Sequence, residues 1–196
     1  MGKSRLESFS DGVIAIIITI MVLELKAPHQ PTFEALQPLI PALLSYALSF
    51  LYVGIYWNNH HHLLQATQRV SGSILWANLH LLFWLSLIPF ATAWMDENHY
   101  SPAPTAVYGA VLLTAAAAYL ILQHLIIKSE GPDSIVKRAV GSDWKGKLSP
   151  VAYLAATVLA PWSSWLPQVL FIGAALVWVI PDRRIEHQLR ERKSTG

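Results

Sequence analysis

Four stretches of this chain, about residues 6–25, 35–57, 73–94 and 105–127, are each apolar over roughly the twenty residues a helix needs to cross a bilayer. In hydrocarbon every backbone N–H and C=O must be satisfied internally, so such runs have to be helices rather than open strands. Two shorter apolar stretches, 149–160 and 166–180, flank PWSSWLP and read as a tight, tilted hairpin. Composition agrees: 54% of residues are hydrophobic and 13% charged, against about a quarter charged in a soluble domain. The expected fold is all-α, a polytopic membrane protein with six transmembrane helices forming a single domain over residues 1–196. A polar connection is expected at about 129–147 and a charged tail at about 182–196.

Six spans place both termini on one side. That side then carries Lys3, Arg5, Arg69, Lys128, Lys137, Arg138, Lys145, Lys147, Arg183, Arg184, Arg190, Arg192 and Lys193. The other side holds Lys26 alone among the 14 basic residues, beside Glu34, Asp96 and Glu97. Basic residues gather on the cytoplasmic face of membrane proteins, so both termini are expected in the cytoplasm of a cell-membrane protein. The first run is not expected to be a cleaved leader, since no small-residue cleavage site follows Leu25. The chain has no cysteine, which excludes disulfides, thiolate metal sites and cysteine nucleophiles. Net charge is only +2 and scattered, so nucleic acid is not an expected partner.

The first run opens with RLESFSD and continues as GVIAIIITIMVL, with Thr19 its single hydroxyl. At about 100° per residue, Ile16, Ile20 and Leu23 share one stripe flanked by Gly12 and Thr19. Asp11, Ala15, Ile18 and Val22 fall roughly opposite. A carboxylate at the entrance of an apolar helix faces protein or water rather than lipid. Two readings of Ser10 and Asp11 stand at this point: an N-cap, or a network in which helix-terminal donors, Ser10 or Arg5 satisfy Asp11.

The motif Arg5-x-x-x-Phe9-Ser10-Asp11, set directly before an Ile-rich first helix, resembles the signature of the transmembrane protein 175 family of potassium channels, bacterial branch. YWNNHHHLL in the second run is similar to that family's Trp-then-His pattern, and the length and six spans fit as well. The resemblance implies a homotetramer in the lipid bilayer, with the first helix of each subunit lining a central pore for monovalent cations. It implies a hydrophobic constriction at Ile16, a hydroxyl ring at Thr19 and a further apolar ring at Leu23, with Ile20 on the same stripe. It also implies that Arg5, Phe9, Ser10, Asp11, Trp57, His60 and His61 form a structural network holding the first helix to its neighbours. No cofactor is implied beyond the permeant potassium ion, and no carbonyl-filter sequence is present.

For Thr19 the alternative to a pore ligand is a bond to the carbonyl four residues earlier, common in membrane helices. The consecutive His60, His61 and His62 point about 100° apart and do not converge on one metal ion, which needs i,i+3 or i,i+4 spacing. A pH-sensitive contact and an ordinary polar helix end both remain open for this cluster. A secondary transporter or proton-coupled carrier is the alternative function, but it calls for mid-membrane charges and broken helices that 12–23 lacks. An enzyme built on His80, His124 and the histidine cluster lacks a convergent nucleophile or metal set, so no catalytic activity is expected.

Overall fold

The computed structural model describes residues 2–131, 134, 137 and 144–179, and every described element is helical. The helices are α1 (Lys3–Ile20), α2 (Ile40–Gln65), α3 (Gly72–Ser86), α4 (Ile88–Glu97), α5 (Pro102–Glu130), α6 (Trp144–Leu159) and α7 (Leu166–Val179). Short 3-10 turns follow α1 (Met21–Glu24) and precede α2 (Glu34–Leu39). Together these give four stretches long and apolar enough to cross a membrane: Lys3–Glu24, Glu34–Gln65, Gly72–Glu97 and Pro102–Glu130. The chain is a multi-pass membrane protein. The tail expected at 182–196 lies outside the described residues, as does much of the connection at 129–147. The described end of that connection, Trp144 to Lys147, is not loop but the first turn of α6.

Local chemistry sets the helix boundaries. Pro41, Pro89 and Pro102 each stand in a first turn, where a missing N–H costs nothing and the fixed φ suits a helix. The third span is therefore not one helix, as its hydropathy implies, but two that meet at Leu87, because Pro89 cannot continue the α3 ladder. Ser71 caps α3 by accepting from the Ile74 N–H at 3.4 Å. At the far end of α5, Gly131 adopts φ +94, a conformation other residues rarely reach.

The long α5 is the axis of the bundle, packed by α3, α4, α6 and α7. α1 lies at the edge, against α2, α3 and α4. In lipid there is little hydrophobic drive between helices, so packing and interhelical hydrogen bonds hold the bundle. Thr92 Oγ1 is 2.8 Å from Ser49 Oγ, which is 3.0 Å from the Tyr108 hydroxyl, tying α4, α2 and α5 together in the buried interior. Tyr52 donates to the Phe171 carbonyl, joining α2 to α7.

The two ends of the bundle differ in charge chemistry. At one end Lys3 Nζ donates to the Gln65 carbonyl at 2.6 Å, and Glu130 accepts from the Gln68 and Arg69 amides at 2.7 and 3.0 Å. At the other, Lys26 pairs with Glu97 at 2.9 Å. The N-terminus, the α2–α3 turn and the end of α5 therefore share a side, and the α1–α2 and α4–α5 connections share the opposite one.

Candidate functional site

α1, together with the 3-10 turn that continues it, has two faces of different character. Leu6, Ser10, Ile14, Ile17 and Met21 are buried against the bundle. Ile16, Ile20 and Leu23 are 61%, 40% and 76% exposed, and Thr19 is exposed beside them. Ala15 and Val22, on another side of the helix from the Ile16 stripe, also lie exposed, because the buried face is centred on Ile14 and Ile17. The helix thus presents a continuous apolar strip along its outer side, while its inner side is anchored.

The anchor is a chain of polar groups sealed from water. His60 Nε2 is 2.7 Å from Asn78 Oδ1; Asn78 Nδ2 donates to Ser10 Oγ at 2.9 Å; Ser10 donates to the Leu6 carbonyl at 2.9 Å. All three side chains are fully buried. The Ser10 proton is committed to Leu6, so Asn78 must donate to Ser10 and accept from His60. That order puts a proton on His60 Nε2. Its Nδ1 is buried with no hydrogen-bond partner among the described residues, so a second proton there would have no acceptor.

Asp11 lies just outside this seal. Trp57 Nε1 donates to its Oδ1 at 3.0 Å, so the indole satisfies it where helix-terminal donors, Ser10 or Arg5 were expected. The N-cap reading of Ser10 and Asp11 is overturned, since α1 begins at Lys3 and both residues are in its interior. Trp57 stacks on His61 with ring centroids 5.9 Å apart, and His61 Nδ1 is 3.3 Å from Glu7 Oε1. Arg5 and Phe9 stand on the exposed side of α1, Phe9 at 47%, and do not enter the buried chain. Of the seven anchor candidates, the fold brings Ser10 to His60 through Asn78, Asp11 to Trp57, and His61 to the flank of Trp57.

Asn78, which links two of them, was missed in the sequence. Its signal was there: an amide in the middle of SILWANLHLLFW is costly unless bonded. Thr19 donates to the carbonyl of Ile16 at 3.0 Å, three residues back rather than four. Having given its proton to its own helix, that exposed hydroxyl is left as an acceptor. The consecutive histidines go separate ways: His60 to Asn78 on α3 and His61 to Glu7 on α1. His80 accepts from Trp84 Nε1 at 2.8 Å and His124 is exposed on α5.

This arrangement has known counterparts. The profile of the family described as endosomal/lysosomal potassium channel TMEM175 matches residues 5–89, from the first turn of α1 to the first turn of α4. A potassium channel of Chryseobacterium sp. (strain P1-3) is 51% identical over 191 residues, covering 97% of this chain and all of that protein. A potassium channel of Streptomyces collinus is 35% identical over 128 residues, 61% of this chain and 62% of its own length. Among solved structures, a homolog from Chamaesiphon minutus of the lysosomal potassium-selective channel TMEM175 superposes with a TM-score of 0.77 at 28% identity. It covers 92% of this chain and 97% of that one. With near-complete coverage at 51% identity and a matching fold, the chain belongs to the TMEM175 family, in its bacterial branch.

Proposed function

We propose that this protein is a potassium-preferring cation channel of the cell membrane, a homotetramer of single-domain subunits in which four α1 helices line the pore. The observation that carries the reading is the two-faced α1. One side is tied to α2 and α3 by buried polar bonds, and the other offers Ile16, Thr19, Ile20 and Leu23 outward. The potassium channels of Chryseobacterium and Streptomyces similar to this chain support a channel over the carrier alternative and over an enzyme. Cytoplasmic termini are part of the reading; Lys3 and Arg69 at one end of the bundle, with Lys26 at the other, support that side for the N-terminus.

The physics of such a pore is direct. Four Ile16 side chains meeting on an axis form a neck that sheds water, and ions do not cross it until the helices tilt or rotate to widen it. An apolar neck offers no ligands to replace lost water, so the more weakly hydrated potassium ion passes more easily than sodium. Four exposed Thr19 hydroxyls add oxygen ligands one turn further on and sharpen that preference. No cofactor takes part; the permeant ion is the only ligand the reading requires.

The test is reconstitution of the purified chain into liposomes, with ion flux driven by a potassium gradient and compared with sodium. Passive flux, faster for potassium, is the expected result. Flux that depends on a coupled substrate, or none from correctly folded protein, would overturn the reading.

A further inference from the structure

Beside the buried anchor, α1 and α2 are joined by a second set of contacts that forms a ladder. Lys3, Glu7 and Asp11 recur every four residues along one face of α1, and Trp57, His61 and Gln65 recur every four along α2. Because the helices run antiparallel here, the rungs match in order: Asp11 with Trp57 at 3.0 Å, Glu7 with His61 at 3.3 Å, and Lys3 with the Gln65 carbonyl at 2.6 Å. His61 is the middle rung and the ladder's one imidazole, a ring that exists either neutral or as a cation.

Its surroundings serve both charge states. Gln65 Nε2 is 2.8 Å from His61 Nε2, so in the arrangement described the amide donates and the ring proton belongs to Nδ1, facing Glu7. If His61 gains a second proton, Gln65 need only turn its amide over to present oxygen to Nε2–H. Nδ1 is shielded from solvent, and although Glu7 Oε1 is within ion-pair distance the two are not aligned as a hydrogen bond. Charging the ring gives that pair an electrostatic reason to close up. The Trp57 face stacked at 21° to the ring gains a cation as partner in the same step. The other titratable and charged groups around it are Lys3 and Asp11 on α1 and His60 and His62 on α2. Glu7 and His61 both keep some exposure, 23% and 31% at their side chains, so protons reach them from the water at this end of the bundle.

We propose that Glu7 and His61 form a proton-operated latch that clamps the first turns of α1 to the end of α2 when His61 is charged. This rests on the channel reading in one respect: opening moves α1 against its neighbours, so a tighter latch slows opening. The pair is near the surface, so its leverage is modest, roughly two- to fivefold in open probability.

Potassium flux from liposomes is measured between about pH 8 and about pH 5.5, the range in which histidine titrates. Wild type is compared with His61→Phe, which keeps the stack on Trp57 but cannot charge, and with Glu7→Gln, which keeps a hydrogen-bonding side chain without the charge. The expected result is that wild-type flux falls roughly two- to fivefold on acidification. Both variants are expected to lose that dependence, whereas His29→Gln, in an exposed loop, retains it. His61→Lys, permanently charged opposite Glu7, is expected to stay at the low acid level throughout. A wild type whose flux is flat with pH, or a response that survives in His61→Phe or Glu7→Gln, would overturn the latch. Amide hydrogen exchange over residues 3–11 in detergent, corrected for the intrinsic effect of pH, reads the latch without any transport. Exchange there should slow on acidification in wild type and not in His61→Phe. Such slowing without potassium flux would sink the channel reading and leave the latch standing; its absence would sink the latch.

Discussion

His60 and Asn78 meet at 2.7 Å inside the bundle, and through that one amide the histidine of α2 is connected to Ser10 of α1. A single side chain on α3 therefore satisfies polar groups from two other helices in a place water does not reach. Removing it strands a donor on one side and an acceptor on the other, and buried groups left unpaired cost more than a formed bond contributes.

Asn78→Leu, close in volume but unable to bond, should accordingly destabilise the fold by roughly 1–3 kcal/mol. Thermal unfolding in detergent is the measurement. A variant as stable as wild type would show that the Ser10–Asn78–His60 chain contributes nothing net.

Gly109 on α5 makes a second, independent test of packing. A Cβ built there would be 2.4 Å from Thr157 Oγ1 and 3.3 Å from Phe171 Cζ, so α5 and α6 approach too closely for alanine. Gly109→Ala should lower stability by about 1–3 kcal/mol through overpacking. Thr157→Ala in the same chain should restore much of that loss, because the nearest obstructing atom is the threonine hydroxyl. An additive double variant would contradict the assignment of the clash.

At the opposite end of the bundle the hydrogen bond and charge of Glu97 hold Lys26 protonated above its ordinary range. Burial likewise pushes the Tyr100 hydroxyl up, although its bond to Ser45 at 2.7 Å pulls the other way. Both folded-state values are raised, so both groups contribute stability that is present below the unfolded values, about pH 10, and is lost as pH rises through the folded ones. The melting temperature should fall above about pH 10, and Lys26→Met with Tyr100→Phe should flatten that decline. An equally steep decline in the double variant would assign it elsewhere.

The four long spans were legible because charge is what a membrane segment lacks, and its absence is visible residue by residue. The break at Leu87 was less so. Hydropathy runs unchanged through it, and the interruption comes from backbone geometry at Pro89. Along α1 the Ile16, Ile20 and Leu23 stripe followed from helical period, but the position of the buried face did not. A helix apolar all round carries little in its pattern to say which side packs, and that Ile14 and Ile17 centre the buried face needed the neighbouring helices. Asn78 was missed because its partners are Ser10, 68 residues away, and His60 on a third helix. Periodicity orders residues along one helix and says nothing about which helix lies across from it. The family motif marked Ser10, Asp11, Trp57 and His60 without supplying Asn78, the group that joins Ser10 to His60.

The central claim is that the exposed stripe of α1 is the wall of the pore and that Ile16 forms its dewetted neck. Single-channel recording of Ile16→Asn in planar bilayers tests it most directly, since an amide at the neck holds water where four isoleucines exclude it. The account predicts a higher resting conductance with weaker discrimination between potassium and sodium. A properly folded Ile16→Asn protein whose conductance and selectivity match wild type would contradict it.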